Sequence, residues 1–196
     1  MDDCVCKVSL RTNIWTAAHY GDGDRVRHLL EYHSSSSSKS DEYGHTALHF
    51  AAHAGHVDVV RLLLERGADV NASACGCTAL HRSAYAGHIA VVRLLLYRSV
   101  TAIDARDMSI GDQRTPLMKA ASQGHTAVVR ALLDAGASIT ATDSHGRTAH
   151  EIAAAGGHVE LGSELARLHA SALQRAPGGP STVAVAESSA AGGTCH

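Results

Sequence analysis

The chain has 196 residues, with 17 lysines and arginines against 19 aspartates and glutamates, and its aromatic content is only 4%. A nearly neutral chain has no electrostatic attraction for phosphates, so no nucleic-acid partner is expected. The longest apolar runs, such as VVRLLL, contain arginine and are too short to cross a bilayer, so we expect no membrane segment. The first residues, MDDCVCKV, are acidic and lack the apolar core of a signal peptide, which predicts a location in the cytoplasm or the nucleus.

Residues 1–12 show no hydrophobic periodicity and are predicted to be a flexible lead. After them, one pattern returns along the chain: a helix-forming block ends at a glycine, and a second segment follows with apolar residues at helical spacing. The glycines that end the blocks are Gly21, Gly55, Gly87, Gly124 and Gly157, at intervals of 32 to 37 residues. A period of about 33 residues is typical of a solenoid whose repeats contain two helices each.

Residues 41–72 hold the most complete copy of this pattern. Thr46 stands where the first helix must start, so its hydroxyl can accept a hydrogen bond from an unpaired backbone N–H. Gly55 ends that helix, because a reversal there favours the left-handed backbone that glycine adopts without strain. Leu63 and Leu64 belong to a wide apolar stripe on the second helix, which one repeat cannot bury alone. Neighbouring repeats must therefore stack.

The motifs of these repeats resemble those of the ankyrin repeat family. TALH at 46–49 and 78–81 and TPLM at 115–118 resemble the family's TPLH block, and GADVN at 67–71 resembles its loop. The resemblance covers about residues 13–170. It implies an all-α ankyrin solenoid of about five helix-turn-helix repeats with short β-hairpin-like fingers. It also implies that the histidine of TALH bonds back towards its threonine.

The resemblance divides the chain into an ankyrin repeat domain over 13–176 and a disordered, low-complexity tail over 177–196. The predicted repeats are 13–40, 41–72, 73–106, 107–142 and 143–176. Trp15 takes the histidine position of the first repeat, and the serine run 34–38 is predicted to be too polar to pack.

The third and fifth repeats depart from the pattern. The exit of the third, TAIDARDMSIGDQR, exceeds the period and is predicted to form a longer finger, since loop insertions cost little. In the fifth, His150 and Glu151 replace the leucine and histidine of the motif, so its first helix is predicted to pack less well. Leu161, Leu165 and Leu168 are predicted to line the inner side of its second helix.

The five cysteines make a poor disulfide framework, since their number is odd and two pairs are spaced C-x-C, at Cys4/Cys6 and Cys75/Cys77. Cys75 and Cys77 with His81 resemble half of a metal site. However, C-x-C is not the usual spacing of structural zinc ligands, and His81 already has the structural role of the motif. We therefore predict no metal and no cofactor, with both cysteines as thiols of a finger.

No nucleotide-binding loop, nucleophile elbow or complete metalloprotease motif occurs in the sequence, which predicts that the chain is not an enzyme. Asn71 resembles the asparagine that factor-inhibiting hydroxylase modifies in ankyrin repeats, which would make the chain a substrate of that enzyme. A turn asparagine that bonds its own backbone is the favoured alternative.

The resemblance implies a protein–protein interaction module or adaptor, monomeric by itself, that binds a protein partner through finger tips and the exposed side of the first helices. By motif position, the predicted binding residues are His19, Tyr20, Glu42, Tyr43, His45, His53, Cys75, Cys77, Tyr85, Asp112, Arg114, Gln123, His145 and Arg147. Three of the five tyrosines fall on this surface, and tyrosine is a typical hot-spot residue. The alternative is a regulatory or substrate-recruiting subunit of an enzyme complex such as a ubiquitin ligase, phosphatase or kinase.

Overall fold

The computed structural model describes residues 13–32, 37–98, 101–109 and 111–175. The predicted lead over 1–12 and the whole of the predicted tail over 177–196 lie outside these described residues. Within the described ranges the chain forms ten α-helices, and extended backbone pairs only at two isolated β-bridges.

The helices follow one another in pairs, and each pair is one repeat. The pairs are α1 (Ile14–Tyr20) with α2 (Gly23–Tyr32), α3 (Ala47–Ala54) with α4 (Val57–Glu65), α5 (Ala79–Ala86) with α6 (Ile89–Leu96), α7 (Pro116–Ser122) with α8 (Thr126–Asp134), and α9 (Ala149–Ala155) with α10 (Val159–Arg175). The inner helices α1, α3, α5, α7 and α9 pack side by side in one row, and α2, α4, α6 and α8 form a second row. The predicted all-α ankyrin solenoid is confirmed.

Capping by the TALH motif explains where the inner helices begin. The backbone N–H of Thr46 donates to Nδ1 of His49 at 3.1 Å, so that nitrogen carries no proton. Nε2 of His49 must then carry the proton, and it donates to the carbonyl oxygen of Cys77 in the next finger at 2.9 Å. The ring thus caps its own helix and binds the following repeat, as the resemblance implied. Glu151 keeps the cap in the fifth repeat, where its carboxylate accepts from the Thr148 N–H at 2.7 Å.

Contact between successive repeats explains the glycine at the end of the inner helix in each of the first four repeats. Gly55 has a φ of +82°, and a Cβ atom there would lie 2.6 Å from the ring of His88. Nε2 of His88 lies 2.9 Å from the carbonyl oxygen of His53. The histidine of one repeat therefore caps the C-terminal end of the inner helix in the repeat before it. Any side chain at Gly55 would meet both a strained backbone and this ring.

A continuous apolar core runs between the two rows of helices. Its largest fully buried side chains are mostly leucines, among them Leu48, Leu63, Leu95 and Leu132. This arrangement confirms that each outer helix is buried by its neighbours rather than by its own repeat alone.

Two sequence-based expectations need correction. Leu161 and Leu165 are buried as predicted, but Leu168 is 44% exposed, because it lies beside the end of α8, which stops at Asp134 while α10 continues. Ser37, in a run predicted to be too polar to pack, is buried and donates from Oγ to the carbonyl oxygen of Arg66 at 3.0 Å. Residues 34–36 of that run lie outside the described residues.

Candidate binding surface and its central cleft

The fingers and the inner helices form one surface, which we call the concave surface, and the predicted binding residues lie along it. Tyr20, Tyr43 and Tyr85 are exposed by 76%, 75% and 46%, although they are large hydrophobic residues. Cys77 is only 2% exposed, so Cys75 is the member of this pair that reaches further towards solvent.

An aromatic pocket of about 350 Å³ lies at the end of this surface formed by the first two repeats. Its walls include the side chains of Trp15, Tyr20, Tyr43 and Phe50. Trp15 is held in place by a hydrogen bond from Nε1 to the carbonyl oxygen of Lys39 at 3.1 Å. The described lining residues also include Asp41 and Glu42 but no lysine or arginine, so the pocket combines aromatic rings with negative charge.

A second opening, which we call the central cleft, has a volume of about 500 Å³ and lies between the fingers of repeats two to four. Its lining residues are Tyr43, His45, Cys75, Cys77, His81, Arg82, Tyr85, Asp107, Ser109 and Lys119. Tyr43 also lines the aromatic pocket, so this one exposed ring stands between the two openings.

Basic side chains project into the central cleft from successive inner helices. Arg82, on α5, donates from Nη2 to Nε2 of His45 at 3.3 Å. Lys119, on α7, forms a buried ion pair with Asp107, with Nζ 2.7 Å from Oδ2. Burial alone would raise the pKa of Asp107, but hydrogen bonds from Lys119 and Ser109 outweigh it and hold the pKa below its usual range.

The sequence analysis missed several residues that line these two openings. Phe50, Arg82 and Lys119 all stand five residues before the glycine that ends their repeat block. Comparison of equivalent positions in successive repeats would have found them, because residues with the same register project to the same side of the stack.

The two finger thiols lie together at one edge of the central cleft. Sγ of Cys75 is 3.5 Å from Sγ of Cys77, and both cysteines are free. Partial burial acts to raise the pKa of Cys75, but hydrogen bonding within the finger outweighs it and lowers the pKa to about 6. Burial raises the pKa of Cys77 to about 12.

The histidine beside these thiols is not the one that the sequence indicated. His81 has the structural role predicted for it, since Nδ1 accepts from the Thr78 N–H at 3.1 Å and Nε2 lies 2.9 Å from the carbonyl oxygen of Ala105. His45, from the preceding finger, comes to the thiols instead, and the three possible ligand atoms of His45, Cys75 and Cys77 all lie within 4.8 Å of one another.

The last fingers form a polar end of the concave surface. Asp143 is buried and accepts hydrogen bonds from the backbone N–H groups of His145 and Arg147, each at 2.9 Å. Its carboxylate also binds the Arg147 guanidinium at 2.9 Å. Burial alone would raise the pKa of Asp143, but these bonds hold it below its usual range. Ser144 N–H donates to the carbonyl oxygen of Asp112 at 2.9 Å, which joins adjacent fingers.

Asn71 has a structural contact in the loop after α4. Its side-chain oxygen accepts from the Ala102 N–H of the next repeat at 2.8 Å, and its own N–H binds the Asp69 carboxylate at 2.9 Å. The Asn71 side chain therefore joins two repeats, a contact that the prediction of a turn asparagine bonded to its own backbone did not include.

Comparison with protein families agrees with the fold. Residues 14–107 match the family described as "Ankyrin repeats (3 copies)", and residues 103–153 match "Ankyrin repeats (many copies)". The chain belongs to the ankyrin repeat family, and ankyrin repeats indicate a protein–protein interaction module.

Several relatives share parts of this sequence. The human Ankyrin repeat domain-containing protein 39 is 41% identical over 66 residues, which is 34% of this chain and 36% of the relative. The Transient receptor potential cation channel subfamily A member 1 homolog of Caenorhabditis elegans is 32% identical over 150 residues, 76% of this chain and 12% of the channel. The Probable E3 ubiquitin-protein ligase XBOS33 of Oryza sativa subsp. japonica is 47% identical over 64 residues, 31% of this chain and 12% of the ligase.

The chain therefore spans little more than a third of the length of even the first of these relatives, and much less of the other two. Within the described residues, no helix is both long enough and apolar enough to cross a membrane.

Proposed function

We propose that this chain is a non-enzymatic adaptor that binds a protein partner across its concave surface, with Tyr43 and Tyr85 as the main contacts. The observation that carries this proposal is the row of exposed tyrosines beside two open clefts. Large exposed aromatic side chains contribute most to the free energy of binding when a partner covers them, because they bury much area at little cost in rotamer entropy.

Tyr43 occupies the central position that hot-spot residues prefer. It stands between the aromatic pocket and the central cleft, so a partner that fills either opening contacts its ring. Tyr85, on the next inner helix, lines the far side of the central cleft. Residues near the middle of an interface are shielded from water by their neighbours. Truncating them to alanine therefore causes the largest loss of binding free energy.

The charges of the two openings indicate how the partner is oriented. The aromatic pocket carries Asp41 and Glu42 and suits a basic side chain, which aromatic faces also attract. The central cleft carries Arg82, which donates to a neutral imidazole nitrogen rather than to a carboxylate, and therefore suits an acidic or carbonyl group. The partner that fits presents a basic residue towards the first repeat and an acceptor towards the third.

A second candidate function is recruitment of substrates to an enzyme complex. The similarity to a probable E3 ubiquitin-protein ligase favours it, because that relative carries the similar repeats in a chain named as a ligase. In this second function the chain uses the same concave surface, and the catalytic subunit is a different protein.

We also propose that the chain acts in the cytoplasm or the nucleus as a monomer. The odd number of cysteines and their C-x-C spacing support this location, because they make a poor disulfide framework and an oxidising compartment favours disulfides.

Replacing Tyr43 and Tyr85 together by alanine tests the binding proposal. We expect affinity for the partner to fall by at least about 2 kcal/mol, roughly thirtyfold, because both rings lose their buried contact area. Folding should not change, since both side chains are exposed and lie outside the core. A partner captured on the wild-type chain would be titrated against wild type and variant by calorimetry, with circular dichroism to confirm the fold.

Arg61→Glu is the matched control, because Arg61 is exposed on the outer helix α4, away from the concave surface. Normal binding by the double tyrosine variant, together with lost binding by Arg61→Glu, would place the partner on the outer helices instead. Ubiquitin transfer to the captured partner in the presence of this chain would favour the recruiting function over a simple adaptor.

A further inference from the structure

We propose that His45, Cys75 and Cys77 form a zinc-binding site at the edge of the central cleft. The three side chains come from two successive fingers, and together they offer one imidazole nitrogen and two sulfurs. These are the ligand types that zinc prefers in proteins. The site shares the central cleft with the partner contacts proposed above, but zinc binding can be measured without any partner.

The spacing of the two sulfurs already suits a metal ion. Zinc–sulfur bonds of about 2.3 Å in a tetrahedral site place two sulfurs about 3.8 Å apart. The sulfurs of Cys75 and Cys77 are 3.5 Å apart, so they need to move by only a few tenths of an ångström. Gly76 between them has a φ of +88°, and its N–H bonds to the carbonyl oxygen of Ser73 at 2.7 Å in a tight turn.

The imidazole of His45 is available for a metal, unlike its neighbours. Among the described residues, its Nδ1 is buried without a hydrogen-bond partner, and its Nε2 meets Arg82 at 3.3 Å. Both nitrogens of His49 and of His81 are occupied by hydrogen bonds to the backbone. A buried polar atom without a partner is rare and calls for an explanation such as a bound ion.

Metal binding at this site is balanced in charge. When zinc binds, the Cys75 and Cys77 thiols each release one proton to solvent, and the resulting two thiolates neutralise the two charges of the ion. His45 contributes one nitrogen of its neutral ring, and the other nitrogen carries the ring proton. Nε2 then no longer accepts a hydrogen bond, so the Arg82 guanidinium must turn away from the ring towards the cleft. The three protein ligands leave a fourth position for water, as in zinc sites that are open to exchange.

The test uses a background variant, Cys4→Ser/Cys6→Ser/Cys195→Ser, in which Cys75 and Cys77 are the only remaining thiols. Cobalt(II) serves as the coloured probe, and zinc affinity is measured by competition with a chromophoric chelator. We expect one equivalent of cobalt to give a thiolate charge-transfer band and the visible bands of a tetrahedral ion, both lost when zinc is added. His45→Ala should weaken zinc binding at least about tenfold.

His53→Ala is the matched control, because His53 is an exposed histidine of the same surface that lies outside the cluster. It should leave zinc affinity unchanged. Cys75→Ser should abolish the tetrahedral spectrum, and circular dichroism should show that the metal-free protein stays folded, since the helices pack without metal.

Three results would contradict the proposed zinc site. The first is a background variant without thiolate–cobalt bands. The second is a Cys75→Ser/Cys77→Ser variant, with the other cysteines retained, that binds zinc as tightly as the background variant. The third is an unchanged zinc affinity in His45→Ala, which would mean a two-thiol chelate without the histidine.

Discussion

His81 ties three segments of the chain together through one imidazole ring. Nδ1 accepts from the Thr78 N–H, and Nε2 lies within 3.1 Å of the carbonyl oxygens of Ala105 and Arg114. Because Nδ1 accepts this hydrogen bond, it carries no proton, and the ring is neutral. Burial favours the same state and lowers the pKa of His81 to about 4, although nearby Asp107 opposes the shift.

This lowered pKa predicts that acid weakens the fold before its carboxylates are protonated. An unfolded histidine has a pKa of about 6.5, so between about pH 6.5 and 4 the unfolded chain binds a proton that folded His81 does not. The free energy of unfolding should therefore fall as pH decreases through this window, by up to about 3 kcal/mol from this residue. Urea denaturation at successive pH values measures the loss.

His81→Gln is the matched variant, because a glutamine side chain can still accept from the Thr78 N–H and keep the cap. It should be less stable than wild type at pH 7, and its stability should depend less on pH in this window. An equal pH dependence in both proteins would show that His81 is not the group responsible.

At the scale of the element, burial of one face decides how much each outer helix contributes to stability. Leu63 of α4 is fully buried between neighbouring helices, whereas Leu168 of α10 lies beside the end of α8 and is 44% exposed. The same residue type therefore occurs in two environments within equivalent helices.

Replacing Leu63 or Leu168 by alanine should therefore lower the free energy of unfolding by different amounts. Leu63→Ala should lower the free energy of unfolding by about 2–5 kcal/mol, because it removes buried contacts and leaves a cavity. Leu168→Ala should cost much less, because its side chain is 44% exposed and leaves little cavity. Chemical denaturation of both variants gives the comparison, and equal costs would mean that α10 packs more closely in solution.

At the scale of the whole molecule, stability depends on having a neighbour on both sides. The inner helices α3, α5 and α7 each pack between two others, whereas the fifth repeat has a described repeat on one side only. Its last helix also leaves Val159, Leu168 and Leu173 exposed. In a repeat stack, each repeat is stabilised mainly by its immediate neighbours.

Hydrogen exchange should therefore protect repeats two to four most strongly and show the fifth repeat opening first. The measurement is native-state exchange followed by mass spectrometry of peptides from each repeat. Strongest protection in residues 145–170 would contradict this order.

The sequence by itself determined the fold, because its signals act locally and recur. Thr46 and Thr78 begin helices and Gly55 and Gly87 end them through contacts with residues only a few positions away or in the equivalent place one repeat later. The register of each repeat follows from these signals, so the helix pairs and most buried leucines could be predicted from the pattern alone.

Only the tertiary structure decided which side chains of different repeats meet. His45 lies thirty residues before Cys75, and the repeat pattern carries no information on how closely two neighbouring finger tips approach. Leu168 has the spacing of a buried residue, yet its exposure depends on where a different helix, α8, ends. Periodicity specifies the face on which a residue lies, whereas the distance and length of the neighbouring element decide what that residue contacts.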